Sequence, residues 1–166
     1  MFDHKPAEAE IEARFWKDLK SAPFVMLGLV GARDGHTQPM TAQFERDHGP
    51  LYFFTATDNG LVKSLQDSSQ RAIATYSAKG HDLFASIHGA LAVETDNGVI
   101  DRLWNPQVAA WFEGGRNDPK LCLLRLDTEK AELWLGASSI GAAITRLLGR
   151  DPKQDYKGKT AEVNLS

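Results

Sequence analysis

Gln38-Pro39-Met40-Thr41-Ala42-Gln43-Phe44, then a Gly49-Pro50 turn, then Leu51-Tyr52-Phe53-Phe54-Thr55: the stretch alternates as two antiparallel strands do, and it sets the fold class. Asn59-Gly60-Leu61-Val62-Lys63-Ser64 follows and reads as the start of a helix that carries a cation. A hairpin feeding a helix N-terminus beside a lysine suits a phosphate group. Backbone N–H donors and the helix dipole both face an anion placed there. A phosphorylated ligand is therefore the first expectation.

Working toward the N-terminus, Pro6 to Lys20 sets Ala7, Ile11, Phe15 and Leu19 at every fourth residue, and Glu8, Glu10 and Glu12 favour the positive end of that predicted helix. Phe24 to Gly31 is apolar on both alternating faces and predicts a strand buried on both sides. Asp34-Gly35 is a turn signal that leads into a strand over Thr37 to Glu45. Beyond the hairpin, Asp58 or Asn59 caps a short helix through Leu61, Val62 and Leu65. Arg71 to Ser77 returns as a strand, and Lys79-Gly80 turns it into a longer one, Leu83 to Thr95, with Leu83, Ala85, Ile87, Gly89, Leu91 and Val93 on one face. A helical region over Gly98 to Phe112 is interrupted at Asn105-Pro106. Two strands, Leu121 to Leu126 and Ala131 to Leu135, flank a polar turn at Asp127-Thr128-Glu129-Lys130. Ser138 caps a last amphipathic helix that stops at Gly149, and the residues from 151 to 166 form a polar tail. The result is an α+β pattern, mainly β, of six to seven strands joined as neighbours without a βαβ rhythm, in one domain over residues 1–150. Such strands predict an antiparallel sheet that closes on itself.

With 166 residues, 42% of them hydrophobic and 25% charged, the chain can bury one ordinary globular core. A net charge of −3 without a local Lys/Arg cluster argues against nucleic acid as a partner. The N-terminus lacks the apolar core of a signal peptide, and no run reaches a membrane span, so neither membrane attachment nor secretion is expected. The single cysteine, Cys122, sits in Leu121-Cys122-Leu123-Leu124 as a small core hydrophobe and fits a reducing, cytoplasmic setting. His81 and His88 lie seven apart on a predicted strand and face opposite sides, so no shared metal is expected.

Several segments together resemble the general stress protein branch of the pyridoxamine 5'-phosphate oxidase-like proteins. They are Pro39-Met40, Tyr52-Phe53-Phe54-Thr55 with Lys63 downstream, Gly89-Ala90, Leu103-Trp104-Asn105-Pro106, Trp111-Phe112 with Gly115 and Asp118-Pro119, and Ala131-Glu132-Leu133-Trp134. The resemblance runs from about Ile11 to Gly149. It implies a split β-barrel with flanking helices that binds FMN, as a homodimer with the flavin at the subunit interface and a small-molecule electron donor or acceptor. Carried over residue by residue, it implies a cofactor site made of Gln38, Pro39, Met40, Thr41, Phe54, Thr55, Asn59 and Lys63. The strand Gln38 to Thr41 runs along the isoalloxazine ring, Phe54 and Thr55 sit at the end of the ribityl chain, and Asn59 and Lys63 complete the phosphate cradle.

The departures from that pattern bear on activity. True pyridoxamine phosphate oxidases carry an Arg-Lys pair where this chain has Gly60-Leu61, and an arginine where it has Gln38. The arginine-rich segment those oxidases use for substrate has no counterpart. Vitamin B6 oxidation is not expected, and no catalytic acid or base is assigned. Three functions stay open: a flavin-dependent oxidoreductase, a flavin-binding stress protein without turnover, and a cofactor-free dimeric barrel module. Phe53 reads as a core residue, while Trp104, Trp111 and Trp134 suit a core, an interface or the flank of a flavin.

Overall fold

The computed structural model describes residues 5–136 and 160–166. The elements are α1 (Lys5–Ser21), β1 (Phe24–Leu29), β2 (Thr37–Thr41), β3 (Leu51–Ala56), α2 (Gly60–Leu65), β4 (Gln70–Ser77), β5 (Leu83–Glu94), α3 (Asn97–Leu103), α4 (Pro106–Ala109), β6 (Leu121–Leu135) and β7 (Thr160–Asn164). All seven strands join one antiparallel sheet in the order β2-β1-β4-β5-β6-β3, with β7 on β6 beside β3.

The sheet curls but does not close, contrary to the closure expected from strand number alone. Its ends, β2 and β3, meet only at an isolated bridge, in which the Gln43 and Tyr52 backbones exchange hydrogen bonds of 2.8 and 2.7 Å. The strand expected to run to Glu45 ends at Thr41, so the two ends diverge below that bridge. The barrel is split there.

Period-2 alternation fills the interior. Val25, Leu27, Leu29, Phe53, Ala74, Ile87 and Leu124 point inward and are buried, with Leu61 and Leu65 of α2 and Ile11, Phe15, Trp16 and Leu19 of α1 in the same core. A second cluster lies outside the curl, where Val99, Ile100 and Leu103 of α3 cover Tyr52 and Leu123. The strand at Phe24 is not buried on both sides: Phe24 is 65% and Met26 39% exposed. Asn59 and Asp96 cap α2 and α3, and Asn105 caps α4 where Pro106 sets its first residue.

Two expectations are corrected. Asp127 to Lys130 is not a turn but the middle of a single 15-residue strand, β6, because β5 pairs with it on both sides of those residues. The register slips once, between His88 and Gly89, so Glu129 is the extra residue of a bulge. The slip is stabilised by Thr128, buried, whose hydroxyl donates to the Gly49 carbonyl at 2.7 Å. The polar tail is no loose end at residues 160–166: β7 lines up on β6 with Ala161 and Val163 buried. The expected helix from Ser138 to Gly149 lies outside the described residues. His81 falls before β5, with a left-handed backbone at φ 56°, so the two histidines do not share a strand.

Candidate functional site

β2 is the open edge of the sheet, and its register decides what that edge offers. Ala42 N–H donates to the Pro23 carbonyl at 2.7 Å, and the pairing continues with Met40 opposite Val25 and Gln38 opposite Leu27. In an antiparallel ladder the bonded pairs alternate, so Gln38, Met40 and Ala42 turn their backbone groups to β1. Pro39 and Thr41 turn theirs the other way, toward the split, as Gln43 does to reach Tyr52. Pro39, which has no N–H, sits where the ladder needs none. Among the described residues, the Thr41 N–H and the Pro39 and Thr41 carbonyls thus have no backbone partner and can face a ligand.

Side chains follow the opposite parity. Met40 is buried in the barrel, Gln38 is half-buried on the same face, and Pro39 and Thr41 are exposed on the outer face beside Met26 and Phe24. The four predicted site residues on β2 therefore divide between the two faces of that strand.

Gln38 and Asn59, 21 residues apart, are brought into contact: Gln38 Nε2 donates to Asn59 Oδ1 at 3.0 Å and approaches Met40 Sδ at 3.6 Å. The same Asn59 oxygen accepts the Leu61 N–H at 2.8 Å and so caps α2. The free edge of β2 is bracketed by this side-chain tie at one end and the Gln43–Tyr52 bridge at the other.

Thr55, half-buried, lies opposite Cys122 near the end of β3, and Lys63, exposed, is one helical turn beyond Asn59, its N–H bonded to the Asn59 carbonyl at 3.1 Å. Neither the Thr55 hydroxyl nor the Lys63 ammonium has a partner among the described residues. Phe54 turns to the outer face and meets the Trp104 ring edge-on at 6.0 Å, which in turn meets Phe112 at 6.1 Å. That places Phe54 in the packing under α3, on the opposite face of β3 from Thr55. Cys122 is buried, and desolvation pushes its thiol pKa up, which disfavours the thiolate a nucleophile needs.

The bracket itself is not legible in the local sequence. Gln43 has the look of an ordinary strand residue, yet its backbone pins the upper end of the opening, and the Gln38–Asn59 contact is non-local. The one available signal was Pro39, which marks an edge strand.

A family model described as "Pyridoxamine 5'-phosphate oxidase like" matches residues 10–151. The fold is close to that of a general stress family protein from Xanthomonas campestris pv. campestris, at 56% identity and a TM-score of 0.75 over 84% of this chain and 93% of that one. A general stress FMN/FAD binding protein from Xanthomonas citri is also 56% identical, with a TM-score of 0.74 over 79% of this chain and 92% of that one. Protein bli-3 of Neurospora crassa is 26% identical over 123 residues, 69% of this chain; the match spans only 56% of that curated relative's length. No helix among the described residues is long and apolar enough to cross a membrane.

Proposed function

The chain belongs to the pyridoxamine 5'-phosphate oxidase-like family, and from that premise we propose that it is a cytoplasmic FMN-binding flavoprotein of the general stress type, acting as a flavin-dependent oxidoreductase. The observation that carries this reading is the free backbone edge of β2 between its two ties. Thr41 offers an N–H and Pro39 a C=O toward the split. The pyrimidine edge of a flavin alternates acceptors with one N–H donor, so it is complementary to that edge. The FMN/FAD binding of the Xanthomonas citri relative points the same way.

In this reading the backbone groups of Pro39 and Thr41 hold the ring, Gln38 and Met40 keep that edge in register on β1, and Phe54 packs on the face of β3 opposite Thr55. Thr55, Asn59 and Lys63 would hold the phosphate, through the Thr55 hydroxyl, the Asn59 amide NH2 and the Lys63 ammonium, two neutral donors and one cation. A hydrogen bond to a charged group contributes about 1.5–3 kcal/mol net, so these three with a buried ring support a Kd of roughly micromolar or tighter. The bound flavin supplies hydride and electron transfer, and the chain's own part is to bind it, orient it and keep water from it. The substrate is a small-molecule electron donor or acceptor. The single cation is a weaker anchor than the Arg-Lys pair of true pyridoxamine phosphate oxidases, which argues against that reaction here.

The partner is a second copy of the chain, with the flavin at the interface. Phe24 and Met26 form a bare apolar strip on the outer face of β1, directly beside Thr41 and Pro39.

The direct test is the absorbance spectrum of protein purified without added cofactor, followed by mass spectrometry of what heat releases. Yellow protein releasing FMN supports the reading; protein that is colourless and shows neither heat nor thermal stabilisation on FMN titration removes it. The alternative is flavin binding without turnover, in which the same cleft holds FMN and the bound flavin is not re-reduced by a donor. Sustained oxidation of NADH or NADPH by the FMN-loaded protein separates the two, since a carrier gives none.

A further inference from the structure

One backbone donor fixes the direction of both amides in the Gln38–Asn59 tie. The Leu61 N–H can only donate, so the Asn59 atom 2.8 Å from it is the oxygen. The Gln38 atom 3.0 Å from that oxygen must then be the NH2 group, and the sulfur of Met40 takes its other approach at 3.6 Å. With two donors on Oδ1, Asn59 has no acceptor left to show. Its remaining polar group is Nδ2, with two N–H bonds and no partner among the described residues.

Resting on the flavin reading above, we propose that Gln38 is a positioning residue: by occupying Asn59 Oδ1 it locks that amide with Nδ2 presented to the flavin phosphate. Without Gln38 the Asn59 side chain has one restraint instead of two. It is then free to leave the cap or to flip its oxygen toward the anion, and an oxygen facing a phosphate repels it. A relay of two neutral amides thus stands where the family's charged side chain is absent, and Gln38 acts on the ligand only through Asn59.

The test is a double-mutant cycle on the full chain, titrating FMN and riboflavin by flavin fluorescence and following thermal melting in parallel. Asn59→Ser keeps a capping oxygen but loses the NH2 group. It is expected to melt close to wild type, to weaken FMN by about tenfold and to leave riboflavin unchanged. Gln38→Ala is expected to weaken FMN by a few-fold to about tenfold, again sparing riboflavin. The combined variant is expected to bind no worse than Asn59→Ser alone, because the pathway runs through one residue. Losses that multiply, or an Asn59→Ser protein that binds FMN normally, overturn the proposal. Wild-type protein that binds neither flavin instead removes the flavin reading, and this inference with it. Independently of any flavin, side-chain amide exchange measured by NMR is expected to be slow for Gln38 and solvent-like for Asn59; the reverse order also overturns it.

Discussion

At Gly89 the two longest strands leave no room for a side chain: a Cβ there would lie 2.2 Å from the Asp127 carbonyl oxygen. The glycine sits at the register slip of the β5–β6 ladder, where the backbones approach most closely. Gly89→Ala must push the strands apart, and overpacking of this kind costs about 1–3 kcal/mol. A melting temperature lower by roughly 3–10 °C is expected; an unchanged melt would mean that the bulge yields freely. Lys63 offers the opposite kind of prediction, an effect on binding with none on stability. It is exposed and unpaired among the described residues, so Lys63→Ala should leave the melt unchanged. It should weaken FMN about tenfold while hardly touching riboflavin, and equal losses for both flavins would rule out a phosphate role.

Among the elements, α3 packs outside the main core, over Tyr52 and Leu123. Its Arg102 clasps the Glu45 carboxylate through two bonds, Nε to Oε2 at 2.9 Å and Nη2 to Oε1 at 3.1 Å. The Arg102 guanidinium holds the Glu45 carboxyl below its ordinary value, chiefly through those hydrogen bonds. A carboxyl whose pKa is lower in the folded state stabilises that state above its unfolded value, about 4.3, and the contribution fades as pH falls through the folded one. The protection factors of the Ile100 and Leu103 amides, corrected for the intrinsic exchange rate at each pH, are therefore expected to fall below about pH 4. Because the pair is solvent-exposed the change is small, about two- to fivefold. Glu45→Gln should raise exchange at pH 6 and remove the Glu45-dependent part of the acid response; an identical acid response in that variant would assign it to other carboxylates. The elements also show which features local sequence carries. The fourfold spacing in α1, the Asn59 cap and the Asn105-Pro106 break are each settled within one turn of chain, and all three stand. The Asp127–Lys130 segment has turn chemistry but is held extended by pairing with β5, a partner some forty residues away. β7 carries only two apolar residues, Ala161 and Val163, and their burial depends on β6 being there first. The site divides in the same way. Pro39 announces an open edge, whereas the contact between Gln38 and Asn59 exists only once the sheet has curled.

At the scale of the molecule, the bare strip and the free edge belong to the same strand pair. Phe24 stands opposite Thr41 and Met26 opposite Pro39, so the residues that bare apolar surface and those that offer backbone to a ligand alternate across two strands. A second copy covering Phe24 and Met26 also encloses the split, and the proposed flavin site then depends on assembly. Light scattering is expected to give a dimer mass for the wild type. A carboxylate buried without a partner is costly, so Met26→Glu should dissociate that dimer. The position is 39% exposed in the single chain, so the monomer should keep its fold and its circular dichroism. If the two copies share the site, FMN affinity falls with the dimer and the wild-type apparent Kd rises on dilution through the monomer–dimer range. A Met26→Glu monomer that binds FMN as tightly as the wild type would confine the site to one chain, and a wild type that is monomeric at working concentration would leave the apolar strip to some other partner.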